Sequence, residues 1–502
     1  MPTLWSAEHH TMQQTSNRVE TGFPAAPEVP AAEGAAALFA SGRARELFAG
    51  MDADAPLLDG RSRPYVNLDN AATTPPLRCV LDHLYRCAGW YGSVHRGTGF
   101  KSLLSNEALH LSRERVGAFV GADPAYHTVV FCANTTDALN RLCNRFELQP
   151  GEMFLSTIVE HHSNLLPWRF KGQVDYVGAK SPCGMVDLED LQAKLRQHHG
   201  KVRLVAVSGA SNVTGLIPPL AQMARLVHAH GAQLLVDASQ LVAHRPIVMG
   251  CATDPERIDF MVFSGHKMYA PFGSGVLIGP RDFFAASRPS LVGGGAVRLV
   301  TLSDIEWAEV PDKEEAGTPN LLGICALSRA METLTEIGMQ KIADHEQSLT
   351  RYTLARLEKI PGITIVGGCQ MVNLTQRLGV IPIQAEGYNH AQLAAILGYE
   401  WGIGVRNGCF CAHPYIKHLL GVSDAELDGF LEELRGGRQR LLPGLVRISL
   451  GLHNTPADID YLGTALETIL RHGPQATYRF DAATESYSPE GFQFDFAPYL
   501  RL

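Results

Sequence analysis

The chain has 502 residues, 45% of them hydrophobic and 19% charged, with a net charge of −8. That length exceeds one compact core, so two or more domains, or one large α/β unit with additions, is expected. The mild acidity offers no footprint for nucleic acid or an anionic membrane, and no apolar run is long enough to span a bilayer.

Residues 1–60 are rich in Ala, Pro and Glu and read as an N-terminal extension, loose apart from one helix near 34–50. The opening "MPTLWSAEHHTMQQ" lacks the basic-then-apolar layout of a secretory signal. From about residue 65 short apolar runs alternate with helical patterns. Strands are predicted at 127–133, 153–157, 173–179, 203–211, 233–239, 259–265 and 274–280, with helices at 137–146 and 220–231 among them. Continuous apolar strands with intervening helices predict a mainly parallel sheet covered on both faces, in a large domain spanning 61–320. Helices predicted over 320–338 and 341–360 open a smaller α+β domain, 321–472, with strands at 379–384 and 445–451. Within it a charged insert, 415–444, reads as an extra helix with polar flanks. Residues 473–502 form a tail carrying Tyr478, Phe480, Tyr487, Phe492, Phe494, Phe496 and Tyr499, expected to dock on its own protein or a partner subunit. The ten cysteines are scattered, far from a disulfide scaffold, and a reduced cytoplasmic setting is expected.

Four stretches carry the chemistry. In "DFMVFSGHKMYAPFGSGVLIGP", Lys267 follows a buried strand and precedes a Gly-rich bend, where open α/β sheets place ligands. Lysine is usually a surface residue, yet one amine flanked by Ser264, Gly265 and His266 has the setting to form a Schiff base with an aldehyde cofactor. In "LLVDASQ", Asp237 at a strand end needs a cationic partner if buried; helix capping is the plainer alternative. In "ANTTDALN", Thr136 lies at a helix start, suited either to phosphate or to ordinary capping. In "VEHHSNLLPW", His161 is a candidate for ring stacking or proton relay, although a lone histidine is more often structural.

The motifs stand in the order of a known family. "YVNLDNAATTPP" (65–76), "SVHRGTG" (93–99), "NTTDALN" (134–140), "EHHSNLLPW" (160–168), "SNVTGLIPP" (211–219), "VDASQLVAHRPI" (236–247), "DFMVFSGHKMYAPFGSGVL" (259–277), "EEAGTPN" (314–320), "VRNGCFCAHP" (405–414) and "VRISLGLHNT" (446–455) run unbroken across roughly 65–470. The chain resembles the class V aminotransferases of fold-type I, most closely SUF-type cysteine desulfurases and selenocysteine lyases. The resemblance implies a large mainly parallel-sheet domain with a smaller α+β domain, pyridoxal 5'-phosphate as cofactor, and a homodimer. It implies that Lys267 carries the cofactor, that Asp237 and Gln240 hold its ring nitrogen and hydroxyl, and that His161 stacks on the ring. Thr136, Ser264 and His266 would bind the phosphate, and Thr318 would reach the phosphate of the neighbouring subunit. Asn212, Arg406, Arg447 and His95 resemble substrate contacts, with Arg447 suited to a carboxylate. Asp137 also falls on an active-site motif. No metal is implied.

The pair of cysteines in "VRNGCFCAHPY" separates the reactions that share this machinery. A zinc half-site lacks a second Cys/His pair nearby, an i,i+2 disulfide is strained, and two buried spectators are a plain alternative. The resemblance places Cys411 at the desulfurase nucleophile position, where a thiolate takes sulfur from L-cysteine and leaves alanine and an enzyme persulfide. Cys409 is either a helper thiol or a spectator. The N-terminal extension, the insert and the tail depart from the family pattern and leave the sulfur-acceptor protein open. Another class V reaction, as in an aminotransferase, epimerase or C–S or selenocysteine lyase, is the alternative.

Overall fold

The computed structural model describes residues 34–367, 373–437 and 441–500. The loose reading of residues 1–33 lies outside them. All seven strands expected between 127 and 280 form: β1 His127–Cys132, β2 Met153–Thr157, β3 Gln173–Val177, β4 Val202–Ser208, β5 Gln233–Asp237, β6 Phe260–Ser264 and β7 Gly275–Pro280. They make one sheet in the order β1-β7-β6-β5-β4-β2-β3. Only β7 runs against the rest, antiparallel to both β1 and β6.

Side chains alternate across the sheet, and both faces are covered. Val129, Phe131, Leu234, Val236, Met261 and Phe263 pack to one face with the helix Leu321–Ile337. Val130, Leu235, Phe260 and Val262 pack to the other, with the helix Thr135–Arg145 and Trp168. Two-sided burial explains why these strands read as unbroken apolar runs.

The smaller sheet is antiparallel, in the order Ile363–Ile365, Val380–Ala385, Leu445–Ser449, Arg406–Gly408. The helices Met339–Leu357, His390–Trp401 and Pro456–His472 cover it through Leu349, Leu357, Ile396, Leu462 and Leu466. Val66 and Leu68 join this core from the far end of the chain, and the short strand Val66–Asn67 pairs in parallel with Ile403–Gly404.

Residues 35–64 hold a helix, Ala35–Ala40, a helical turn, Ala44–Leu47, and a small hairpin, Asp54–Pro56 with Ser62–Pro64. The insert contains two helices, His413–Leu420 and Asp424–Arg435, because Gly421 in the left-handed conformation ends the first. The tail folds on its own chain. Tyr478–Asp481 and Ser486–Pro489 form a hairpin, Phe494 stacks on Tyr399 at 4.8 Å, and Tyr478 donates to Glu400 at 3.1 Å. Among the described residues no helix is long and apolar enough to cross a membrane, and the described cysteines are free thiols.

A buried cluster ties the two sheets together. Glu346 pairs with Arg245 and with His244 at 3.2 Å, and accepts from the Gly379 amide at 2.9 Å. Burial alone would push this carboxyl up, but His244 and Arg245 beside it hold it down to about 2. A carboxyl titrating below its unfolded value stabilises fully above that value, about 4.3, and the contribution is lost as pH falls toward 2. Glu346→Gln leaves Arg245 without its partner charge and is expected to cost about 3–5 kcal/mol. A urea midpoint measured from pH 7 down to pH 3 checks this. The wild-type advantage should shrink with acid, and an equal midpoint at pH 7 would refute the assignment.

Candidate functional site

A cavity of about 670 Å³ opens at the C-terminal ends of the parallel strands, where such sheets bind ligands. Each strand end delivers a group. β5 ends at Asp237, β6 at Ser264 with Lys267 just beyond, β4 at Ser208, and His161 follows β2.

One end of the cavity is a cradle of hydroxyls at the start of the helix Thr135–Arg145. Thr135 donates its amide to Ser264 Oγ at 2.8 Å, and its hydroxyl lies 2.6 Å from Ser264 Oγ and 2.9 Å from Ser239 Oγ. Thr136 and Ser163 pair at 2.8 Å. Ser274 Oγ is buried without a partner and lines the same space. A Cβ on Gly275 would meet the Asn134 backbone at 2.5 Å, so the helix seats on β7 only because residue 275 lacks a side chain. Helix N–H groups, hydroxyls and His266 together make an anion site. Asp137 turns away from it, accepting from the Ala133 amide at 2.9 Å and pairing with Arg141.

At the centre sit Lys267 and Asp237. Burial lowers the pKa of the Lys267 amine, opposed by the Asp237 carboxylate. Burial raises that of Asp237, opposed by the Ser239 hydrogen bond and by Lys267. Each group is thus the other's counter-charge in the cavity. His161 accepts from the Ser163 amide through Nδ1 at 3.1 Å, so its proton resides on Nε2. Burial and the positive charge of Lys267 lower it to about 4, and the same two causes lower His266 to about 4. Both rings are neutral at physiological pH. Gln240 lines the wall and donates to the Ala71 carbonyl at 2.7 Å.

Two arginines form the opposite wall. The antiparallel register sets Arg406 directly across from Arg447, an unfavourable like-charge pair alone. Asp69 bridges them, 3.0 Å from Arg447 and 3.2 Å from Arg406. Arg447 also donates to the Asn212 carbonyl at 2.9 Å, while its Nε is buried and unpartnered. Arg406 is half exposed. Paired guanidinium groups of this kind have the chemistry to bind a carboxylate.

The CxC loop closes the mouth. Phe410 and Cys411 both have left-handed backbones, φ 52° and 55°, unusual for non-glycine residues. The strain is held by three contacts. The His162 amide donates to the Cys411 carbonyl at 2.7 Å, Asn212 donates to the Phe410 carbonyl at 2.7 Å, and the Arg447 guanidinium lies 4.9 Å from the centre of the Phe410 ring. Cys411 is exposed and lines the cavity with Lys267. Cys409 is different. Its thiol donates to the Pro443 carbonyl at 3.1 Å, and burial pushes it up to about 11.

The cavity thus gathers Thr136, His161, Asn212, Asp237, Gln240, Ser264, His266, Lys267, Arg406, Cys411 and Arg447. It does not gather His95 or Thr318. His95 lines a separate cleft with Arg113 and His127, and Thr318 is exposed outside the cavity. Sequence reasoning missed Ser239, next to Gln240, and Ser274, and it gave no individual role to Thr135 or Asp69, whose motifs were noticed. It also missed Glu160, fully buried one residue before His161. Glu160 accepts from Thr157, Asn164 and Ser208 at 2.6–2.9 Å, and burial pushes it up to about 7.

The sequence profile of the Aminotransferase class-V family matches residues 66–462. The chain belongs to the class V aminotransferase family. Among members of that family it is 33% identical over 434 residues to a protein named cysteine desulfurase from Pectobacterium atrosepticum, covering 84% of this chain and 97% of that one. It is likewise 33% identical over 437 residues to a cysteine desulfurase of Escherichia coli, with 84% and 97% covered. The fold matches a solved cysteine desulfurase from Thermococcus onnurineus with a TM-score of 0.71 at 28% identity, covering 81% of this chain and 95% of that one. An Escherichia coli cysteine desulfurase solved with an S-sulfonic acid matches with a TM-score of 0.67 at 29% identity, covering 81% and 94%. The fold-type I architecture expected of class V aminotransferases is the one observed.

Proposed function

We propose that the chain is a pyridoxal-phosphate-dependent cysteine desulfurase, converting L-cysteine to L-alanine with an enzyme persulfide on Cys411. The observation that carries this reading is an exposed thiol, Cys411, and a half-buried lysine, Lys267, lining one cavity between an anion cradle and an arginine wall. The donor set fits the cofactor. Thr135, Thr136, Ser264 and His266 would hold its phosphate, with the unpartnered Ser274 hydroxyl beside them. Asp237 would face its ring nitrogen, Gln240 its ring hydroxyl and His161 its ring plane. Bound there, pyridoxal phosphate supplies an electron sink next to the substrate Cα.

The residues of the chain do the rest. Arg447, steadied by Asp69, takes the substrate carboxylate, with Arg406 at the rim. Lys267 carries a proton to and from the substrate Cα, a task suited to an amine whose pKa burial has lowered. The Cys411 thiolate attacks the substrate sulfur; an S–S bond forms, the Cβ–S bond breaks, and the carbon takes up protons to leave as alanine. L-cysteine plus enzyme thiol becomes L-alanine plus enzyme persulfide, with no external oxidant. Thr318 and His95, outside the cavity of their own chain, fit a homodimer in which each subunit serves its partner's site. An exposed Cys411 suits delivery to a sulfur-acceptor protein, and the free thiols suit the cytoplasm.

The test supplies L-cysteine and measures alanine and protein-bound sulfane sulfur together. Equal amounts of the two in the first turnover are expected. Sulfide and pyruvate in place of alanine would replace this reading with C–S lyase chemistry. Cys409→Ala is expected to keep its rate within about threefold, because that thiol is protonated and held by Pro443. A loss beyond about tenfold would make Cys409 a working thiol.

A further inference from the structure

Away from the cavity, three helices meet around sulfur and nitrogen. His83 and Cys87 stand four residues apart on the helix Arg78–Trp90, hence on one face. Cys325, on the helix Leu321–Ile337, faces them. Cys87 Sγ lies 3.3 Å from His83 Nε2, and the three ligand atoms all lie within 4.8 Å of one another. Cys325 is buried, while His83 and Cys87 are half-buried. Buried Ser112, on the helix Phe100–Phe119, reaches Cys325 from the third side. None of these residues lines the cofactor cavity.

We propose that His83, Cys87 and Cys325 form a zinc(II) site, with the fourth coordination position open to water. The geometry is close to what the ion needs. Tetrahedral Zn–S and Zn–N bonds put ligand atoms about 3.5–3.8 Å apart, so a spread within 4.8 Å closes by side-chain rotation. The charge also balances. Zn²⁺ displaces the two thiol protons to solvent and takes the lone pair of neutral His83, giving an uncharged centre that a largely apolar surround tolerates. The surround is apolar: Cys325 is part of the large-domain core and Cys87 packs against it. Donor identity favours zinc over calcium or magnesium, which take oxygen ligands. Two helices distant in sequence supply the ligands, so the ion would pin Arg78–Trp90 to Leu321–Ile337.

The experiment uses reduced, cofactor-loaded protein and Zn²⁺ itself. After equilibration and gel filtration, zinc per chain is measured for wild type, Cys411→Ala, Cys87→Ala, Cys325→Ala and His83→Ala. About one zinc per chain is expected for wild type and Cys411→Ala, and none for the Cys87 and Cys325 variants. His83→Ala, altering a half-buried side chain that is the least disruptive to folding, should bind at least about tenfold more weakly while keeping desulfurase activity. Co²⁺ should give a thiolate charge-transfer band in wild type and Cys411→Ala that Cys87→Ala lacks. No zinc retained by wild type, or equal retention by wild type, Cys87→Ala and His83→Ala, would overturn the site. Recovery of a Cys87–Cys325 disulfide from freshly isolated protein would also overturn it, making the pair a redox element.

Discussion

Lys267→Ala is expected to lower kcat/KM for L-cysteine by at least about 10³-fold, within the range for losing a positioned acid–base group. Burial lowers the pKa of the amine, and the Asp237 carboxylate is the main charge opposing that shift. Among the described residues no other lysine lines the cavity, so no neighbouring amine can substitute for it. On the proposed reading, removing it takes away both the covalent anchor for an aldehyde cofactor and the base beside the substrate Cα. It also leaves Asp237 buried without its cation. The measurement is alanine formation under saturating cofactor, with circular dichroism showing that the fold is kept. A variant retaining a tenth of wild-type activity would sink the assignment.

Cys411→Ala separates a desulfurase from every other reaction the same cavity supports. Alanine and sulfane sulfur should both fall by about 10²–10⁴-fold, while binding of the cofactor stays intact. The backbone argues for the position as well as the thiol. Two consecutive left-handed non-glycine residues cost about 1–3 kcal/mol each, and Asn212, His162 and Arg447 hold them there. Such strain presents the thiol on the cavity side of the loop and leaves Cys409 facing Pro443. If Cys411→Ala still makes alanine at the wild-type rate, the sulfur leaves by another route and the nucleophile has been misassigned.

Much of the sheet was legible because its strands are buried on both faces, and continuous β-branched runs have few other interpretations. The residues gathered at the strand ends, from Thr136 to Lys267, were legible because the family motifs fix their order along the chain. Asp69 was not assigned a role, because its partners, Arg406 and Arg447, meet it only through the register of two distant strands. Ser239 and Ser274 were silent for the same reason: a hydroxyl gains meaning from what converges on it. The family motif singled out Cys411 but left Cys409 between helper and spectator, and backbone conformation and burial are what separate the two thiols physically. The insert held two helices where its charge pattern suggested one, because a single left-handed glycine divides it.

The strand Val66–Asn67 has a consequence for how the protein is made. During synthesis it leaves the ribosome early, but its partner, Ile403–Gly404, comes last but for the final hundred or so residues. Val66 and Leu68 therefore stay uncovered while the entire large sheet is assembled, waiting for a core that does not yet exist. Completion of the arginine wall is delayed with them, since Asp69 follows directly and Arg447 emerges later still. A nascent chain has the strand ends that carry Asp237, Ser264 and Lys267 well before it has Arg406 and Arg447, so one end of the cavity can form long before the other.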